Sequence, residues 1–233
     1  MGMQHVMDKY GLIKHTSTQT ITGLITQPEL FDKYYISFFG YNILSVNIWG
    51  KLYQKSILDK ANLTPSDLKM GEDLAFNLNL FPHLNSIYIL EDIGYSYRFG
   101  GMTTCYNPSL YPDLKKLYLL KESLIEKYQY FKASDLIKIE IKNVLKSDIC
   151  QLIIFKVGTK DQIISNIRKE LSDPLWDRAL QIENHPEYFN EPFVQAIQNK
   201  DAEKAYILCL EKVNKEKWSR LVKRIASSIL SYL

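Results

Sequence analysis

Two stretches decide the fold of this chain: Asn47-Ile48-Trp49-Gly50-Lys51-Leu52-Tyr53 and, about twenty residues later, Met70-Gly71-Glu72-Asp73-Leu74-Ala75-Phe76-Asn77. The first is apolar and aromatic around a single lysine, a composition that predicts a buried strand running into a cleft. In the second, a glycine precedes two acids and an apolar run. This order predicts a helix with both acids in its first turn, where free N–H groups favour anions. We therefore expect the two carboxylates at the mouth of a cleft.

A third stretch completes the pattern. Tyr95-Ser96-Tyr97-Arg98 is followed by Gly100-Gly101-Met102-Thr103-Thr104. In order and spacing, W-x-K-L-Y, G-E-D-L-x-F-N and Y-x-Y-R with its glycine loop resemble the acceptor-side half of inverting, family 2 type glycosyltransferases, over roughly residues 43–104. The resemblance implies a GT-A type domain in which Asp73 is the general base that deprotonates the acceptor hydroxyl.

The same resemblance gives expected roles to other residues. Glu72 would orient acceptor hydroxyls or bond Arg98. Arg98 would clamp a phosphate, since guanidinium binds oxyanions through two hydrogen bonds, or would form a structural ion pair with Glu72 or Asp73. Thr103 is carried over from the loop that follows.

Two interpretations remain open for each of three residues. Trp49 and Tyr97 would stack on a sugar ring or form part of the wall of the site. Lys51 would pack its stem on Trp49 with its ammonium in water, or it would face a diphosphate or the Glu72-Asp73 pair.

The sequence also departs from the family pattern. Only 48 residues precede the W-x-K-L-Y block, and no Asp-x-Asp occurs among the 233 residues. We therefore expect a truncated domain that lacks the donor and metal site and is inactive as this isolated chain. A nucleotide-sugar donor and a divalent Mg or Mn ion are expected only for a full-length form, whose acceptor would be a saccharide or a lipid-linked molecule.

Composition limits the other classes of function. The net charge of +3 is too small to indicate a nucleic-acid partner. Three well-separated cysteines indicate neither a disulfide framework nor a zinc site. The chain shows no signal peptide and no apolar run long enough to span a bilayer, so we expect a cytoplasmic protein.

Periodicity predicts an α+β, predominantly α fold with a few short strands. We expect the acceptor-side part, a partial GT-A-like subdomain, over residues 1–107 and a helical bundle over 108–233. Residues 1–27 alternate enough to form a strand or a flexible lead-in. Predicted helices cover 29–39, 55–60, 71–82, 111–130, 134–155, 161–171, 174–180, 193–198, 201–213 and 214–233, and predicted strands cover 45–53, 86–90 and 94–99. Asn62 and Pro65 are predicted to end the helix over 55–60, and Thr159 to cap the helix over 161–171.

Two contacts with other molecules remain open. The basic amphipathic segment 215–233 would lie on the inner membrane surface or be a bundle helix with a solvated face. An exposed sheet edge would allow a homodimer. The alternative to a transferase is a non-catalytic helical domain that binds a partner protein.

Overall fold

The protein is mostly helical with little sheet, as expected. The computed structural model describes residues 3–7, 13–17, 21–63, 66–98 and 106–230. The α-helices of this part are α1 Lys55–Ala61, α2 Glu72–Leu80, α3 Leu110–Tyr128, α4 Ser134–Ile154, α5 Lys160–Glu170, α6 Leu175–Ala179, α7 Pro192–Gln198 and α8 Ala202–Leu230. A π-helix covers Leu30–Tyr35, and 3₁₀ turns cover Phe81–His83, Phe131–Ala133 and Pro186–Asn190.

The described strands form two small sheets. They are β1 Met3–Met7, β2 Ile13–Ser17, β3 Gly23–Thr26, β4 Ser86–Ile89 and β5 Ile93–Arg98. In the larger sheet, β1 lies between β2, which is antiparallel to it, and β5, which is parallel. In the smaller sheet, β3 and β4 are antiparallel, with Gly23 opposite Ile89. Segment 1–27 therefore contributes strands, which was one of its two expected forms.

The chain divides into two compact units, residues 1–137 and 138–233. The predicted division into an acceptor-side part, 1–107, and a helical domain, 108–233, stays a prediction. The compact units divide about thirty residues later, within α4.

The core of the first unit is aromatic. Tyr35 is fully buried, and its hydroxyl donates to the Leu78 carbonyl of α2 at 3.0 Å. Its ring makes edge contacts with Phe39 and Tyr130 and stacks on Phe81 at 6.3 Å. The π-helix is thereby fixed against α2, the helix that carries the two acids.

The start of α2 is held from both sides. Gly71 adopts φ +86°, a left-handed conformation that side chains disfavour, and a Cβ added there would lie 3.2 Å from Leu117 Cδ2. One Asp113 carboxylate oxygen accepts the backbone N–H groups of Lys69 at 2.9 Å and Met70 at 3.1 Å. The turn before Glu72 and Asp73 is therefore fixed by α3, where Asp113 lies in the first turn.

The predicted strand over 45–53 is wrong, because this segment is an irregular loop. Its carbonyls bond to side chains in place of a neighbouring strand: the Lys51 ammonium binds the Ser45 and Asn47 carbonyls, and Asn77 Nδ2 binds the Val46 carbonyl at 2.5 Å. Gly50 turns the chain at φ +71°. Leu52 is 99% exposed, which a buried strand would not allow.

The second unit is helical throughout its described part, in agreement with the expected bundle composition. Helices α5 and α7 both pack on α8. Thr159 caps α5 through a reciprocal pair of bonds with Gln162, which confirms the predicted cap. The predicted break between residues 213 and 214 is wrong, since α8 runs unbroken from Ala202 to Leu230. Asn214 is tolerated inside a helix at a small cost in propensity.

Candidate functional site

The two acids lie in the first turn of α2, as expected. Glu72 is exposed, and Asp73 is half-buried. Because they are consecutive helical residues, their side chains point in different directions. Of the two acids, Asp73 is the one whose charge acts to raise the pKa values of Lys51 and Tyr53, which lie in the loop before α1.

Lys51 is the most perturbed cation of the site. Its ammonium donates to the Ser45 carbonyl at 2.7 Å and to the Asn47 carbonyl. Burial lowers the pKa of Lys51 to about 8, while the negative charge of Asp73 partly opposes this shift. Lys51 therefore closes the loop through its ammonium. The two interpretations of Lys51, with its ammonium in water or facing a diphosphate or the Glu72-Asp73 pair, stay predictions.

Tyr53 is the second group close to Asp73. Burial and, to a smaller extent, the nearby Asp73 charge raise the pKa of its phenol to about 12. Its hydroxyl donates to the Ile48 carbonyl at 3.3 Å, and its ring meets Phe76 of α2 edge-on at 5.5 Å. At neutral pH, Tyr53 is therefore a protonated donor beside a carboxylate.

A cavity of about 670 Å³ opens next to these residues in the first unit. Most of its wall is apolar, with Lys51, Tyr53, Asn77 and Asp92 among its polar members. The remaining lining residues are Gly50, Leu52, Gln54, Ile57, Leu58, Leu80, Phe81, Leu84, Ser86, Ile87, Tyr88 and Leu90. This size and composition are typical of pockets for small organic ligands.

Asn77 is a site residue that the sequence analysis missed. It is fully buried one helical turn after Asp73, and its Nδ2 donates to the Asp73 carbonyl at 2.7 Å as well as to Val46. Its Oδ1 is a buried acceptor that no donor of the described residues reaches. The available signal was the i, i+4 spacing of Asp73 and Asn77 on an otherwise apolar helix face.

Among the remaining predicted site residues, the structure describes the side chain of Trp49 but not those of Tyr97, Arg98 and Thr103. Trp49 stacks on Tyr95 with ring centroids 4.0 Å apart, so one face of the indole is covered by protein. Tyr97 and Arg98 end β5, opposite Val6 and Met7 of β1, but their side chains lie outside the described part. Thr103 lies outside the described residues altogether. The expected convergence of Arg98 on Asp73 therefore stays a prediction.

Two further properties of the described residues concern metal binding and membrane crossing. Within these ranges, no group of three or more His, Cys, Asp or Glu side chains is arranged to hold a metal ion. No helix of the same ranges combines the length and apolar character needed to cross a bilayer. The predicted membrane contact of 215–233 and the cytoplasmic location stay predictions.

Comparison with known proteins identifies no relative of this chain. The chain matches no protein-family profile, no curated protein and no solved structure.

Proposed function

We propose that the first unit carries the acceptor-binding side of an inverting sugar transferase, with Asp73 as the general base. In the complete reaction, a sugar would pass from a nucleotide-sugar donor to a hydroxyl of a saccharide or lipid-linked acceptor. The observation that carries the proposal is the mainly apolar cavity whose wall includes Lys51 and Tyr53, two groups whose pKa values the nearby Asp73 charge acts to raise.

The chemistry needs a base, a donor group and a shaped pocket. A carboxylate within hydrogen-bond reach of an acceptor hydroxyl removes its proton as the new bond forms. Lys51 supplies an N–H donor at the cavity wall, and the Tyr53 oxygen, whose proton goes to the Ile48 carbonyl, accepts from a sugar hydroxyl. A partly desolvated environment strengthens both hydrogen bonds. Asn77 fixes the Asp73 backbone, so the base is held on a rigid helix turn.

The cost of Lys51 supports a functional role. A lysine whose pKa is lowered by burial destabilises the folded state at neutral pH. An apolar side chain would avoid that cost but would leave the Ser45 and Asn47 carbonyls without this donor. A ligand oxygen bound at Lys51 accounts for the retained charge better than packing does, since the lysine also lines the cavity.

Saccharide binding is the experimental test. Ligand-observed NMR with a panel of mono- and oligosaccharides should detect binding to the chain, and Asp73→Asn should weaken it at least about tenfold, or about 1.4 kcal/mol. The loss follows because a neutral amide accepts a hydroxyl hydrogen bond more weakly than a carboxylate.

Asp161→Asn is the matched control. Asp161 is an exposed acid in the first turn of α5, in the second unit, and its replacement should leave saccharide binding unchanged. The proposal fails if no saccharide in the panel binds at about 10 mM, or if both variants bind equally well.

A further inference from the structure

Two cysteines that the sequence places far apart meet in the second unit. Cys150 on α4 directs its thiol toward the Cys209 carbonyl at 3.9 Å, and Cys209 on α8 directs its thiol toward the Lys146 carbonyl at 3.7 Å. Each sulfur therefore lies against the backbone of the helix that carries the other cysteine. Both are free and buried. We propose that Cys150 and Cys209 are an oxidation site that peroxide converts into an intramolecular disulfide joining α4 to α8.

The surroundings assign different roles to the two sulfurs. The neighbouring Cys209 thiol lowers the pKa of Cys150, and the positive charges of Lys212 and Lys146 also lower it, against burial and Glu216. The neighbouring Cys150 thiol and burial raise the pKa of Cys209. Cys150 also keeps 7% of its surface exposed, whereas Cys209 is fully buried. Because the thiolate is the nucleophile, Cys150 is the sulfur that reacts first.

The reaction balances with hydrogen peroxide as the oxidant. The Cys150 thiolate attacks one peroxide oxygen, the O–O bond breaks, and hydroxide leaves, so Cys150 becomes a sulfenic acid. The neighbouring Cys209 sulfur then attacks the Cys150 sulfur, and the S–O bond breaks as the S–S bond forms. The second hydroxide leaves with the Cys209 proton as water. Two thiols and one peroxide thus give one disulfide and two waters.

The fold favours condensation over further oxidation. The Cys150 sulfur already contacts Cys209, so the sulfenic acid has a resolving thiol beside it and is shielded from a second peroxide. The disulfide would close a loop between positions separated by 59 residues. A cross-link of this length restricts the unfolded chain, so the oxidised second unit should melt at a temperature on the order of 5 °C higher.

Peptide mapping of the native protein provides the test. The folded chain is treated with hydrogen peroxide, quenched with an alkylating reagent and digested without reduction. We expect a Cys150–Cys209 cross-linked peptide, a loss of about 2 Da from the two thiol hydrogens, and reversal by dithiothreitol.

Other outcomes overturn the proposal. These are Cys150 oxidised to the sulfinic acid with Cys209 still alkylatable, a cross-link that forms only after unfolding in urea, or Cys105 as the partner of either residue. Cys150→Ala is the control and should leave Cys209 reduced under the same treatment. Because the mapping is made on the unaltered chain, the result does not depend on the folding of this variant.

Discussion

Lys51→Met is expected to remove a pH dependence of stability worth about 3 kcal/mol. Burial places the pKa of Lys51 at about 8 in the folded chain, against 10.5 for an unperturbed lysine. Between pH 8 and 10.5, the unfolded chain holds a proton that the folded chain has released. The free energy of unfolding therefore rises with pH across this window, and below pH 8 the full cost of the charged lysine is present.

Urea denaturation at pH 7, 8, 9 and 10 measures this effect. The stability of Lys51→Met relative to the unaltered chain should decrease by about 2–3 kcal/mol from pH 7 to pH 10, because only the unaltered chain gains stability on deprotonation. The series stops at pH 10 because Tyr53 and Tyr130, whose pKa values are raised to about 12, act in the opposite direction above it.

Lys55→Met is the matched control for this series. Lys55 is exposed at the start of α1, four residues after Lys51, and its variant should differ from the unaltered chain by the same amount at every pH. Parallel pH profiles for Lys51→Met and the unaltered chain would show that Lys51 is solvated like Lys55, against the burial on which the site depends.

Asp113→Ala is expected to destabilise the chain by about 2 kcal/mol and to loosen the turn that presents Asp73. Asp113 is only 5% exposed, and one of its oxygens accepts both N–H groups that precede Gly71. Hydrogen bonds to a carboxylate are stronger than those between neutral groups, and their removal leaves two backbone donors without this partner. Asp113→Asn keeps an acceptor oxygen and should lose less.

The urea midpoint and the amide NMR signals of Glu72 and Asp73 report this change. Asp67→Ala is the control. Asp67 pairs with Lys116 of α3, the helix that also carries Asp113, and the Asp67 side chain remains 82% exposed. Its midpoint should not move, as is usual for exposed ion pairs. Equal midpoints for Asp113→Ala and Asp67→Ala would remove Asp113 from the positioning of α2.

Local signals predicted most of the elements correctly. Gly71 followed by two acids predicted the start of α2, Thr159 predicted the cap of α5, and Asn62 predicted the end of α1, where it adopts the left-handed conformation. Such signals depend on neighbours within a few residues, so they can be read without tertiary structure.

The errors come from long-range interactions. The apolar run around Trp49 resembled a strand, but its carbonyls are bound by side chains, including Asn77 from a helix about thirty residues away. Asp113 resembled an ordinary first-turn acid, and only the fold shows that it binds the Lys69 and Met70 amides. The proximity of Cys150 and Cys209 likewise depends on how two helices pack.

The pKa of Lys51, measured by ¹³C NMR of its Cε, reports whether the Asp73 charge acts on this lysine of the cavity wall. We expect a pKa of about 8 that falls further in Asp73→Asn, because the carboxylate opposes the effect of burial. Glu72→Gln should leave it unchanged, since Glu72 is exposed. A pKa near 10.5, or one that Asp73→Asn does not alter, would contradict the account.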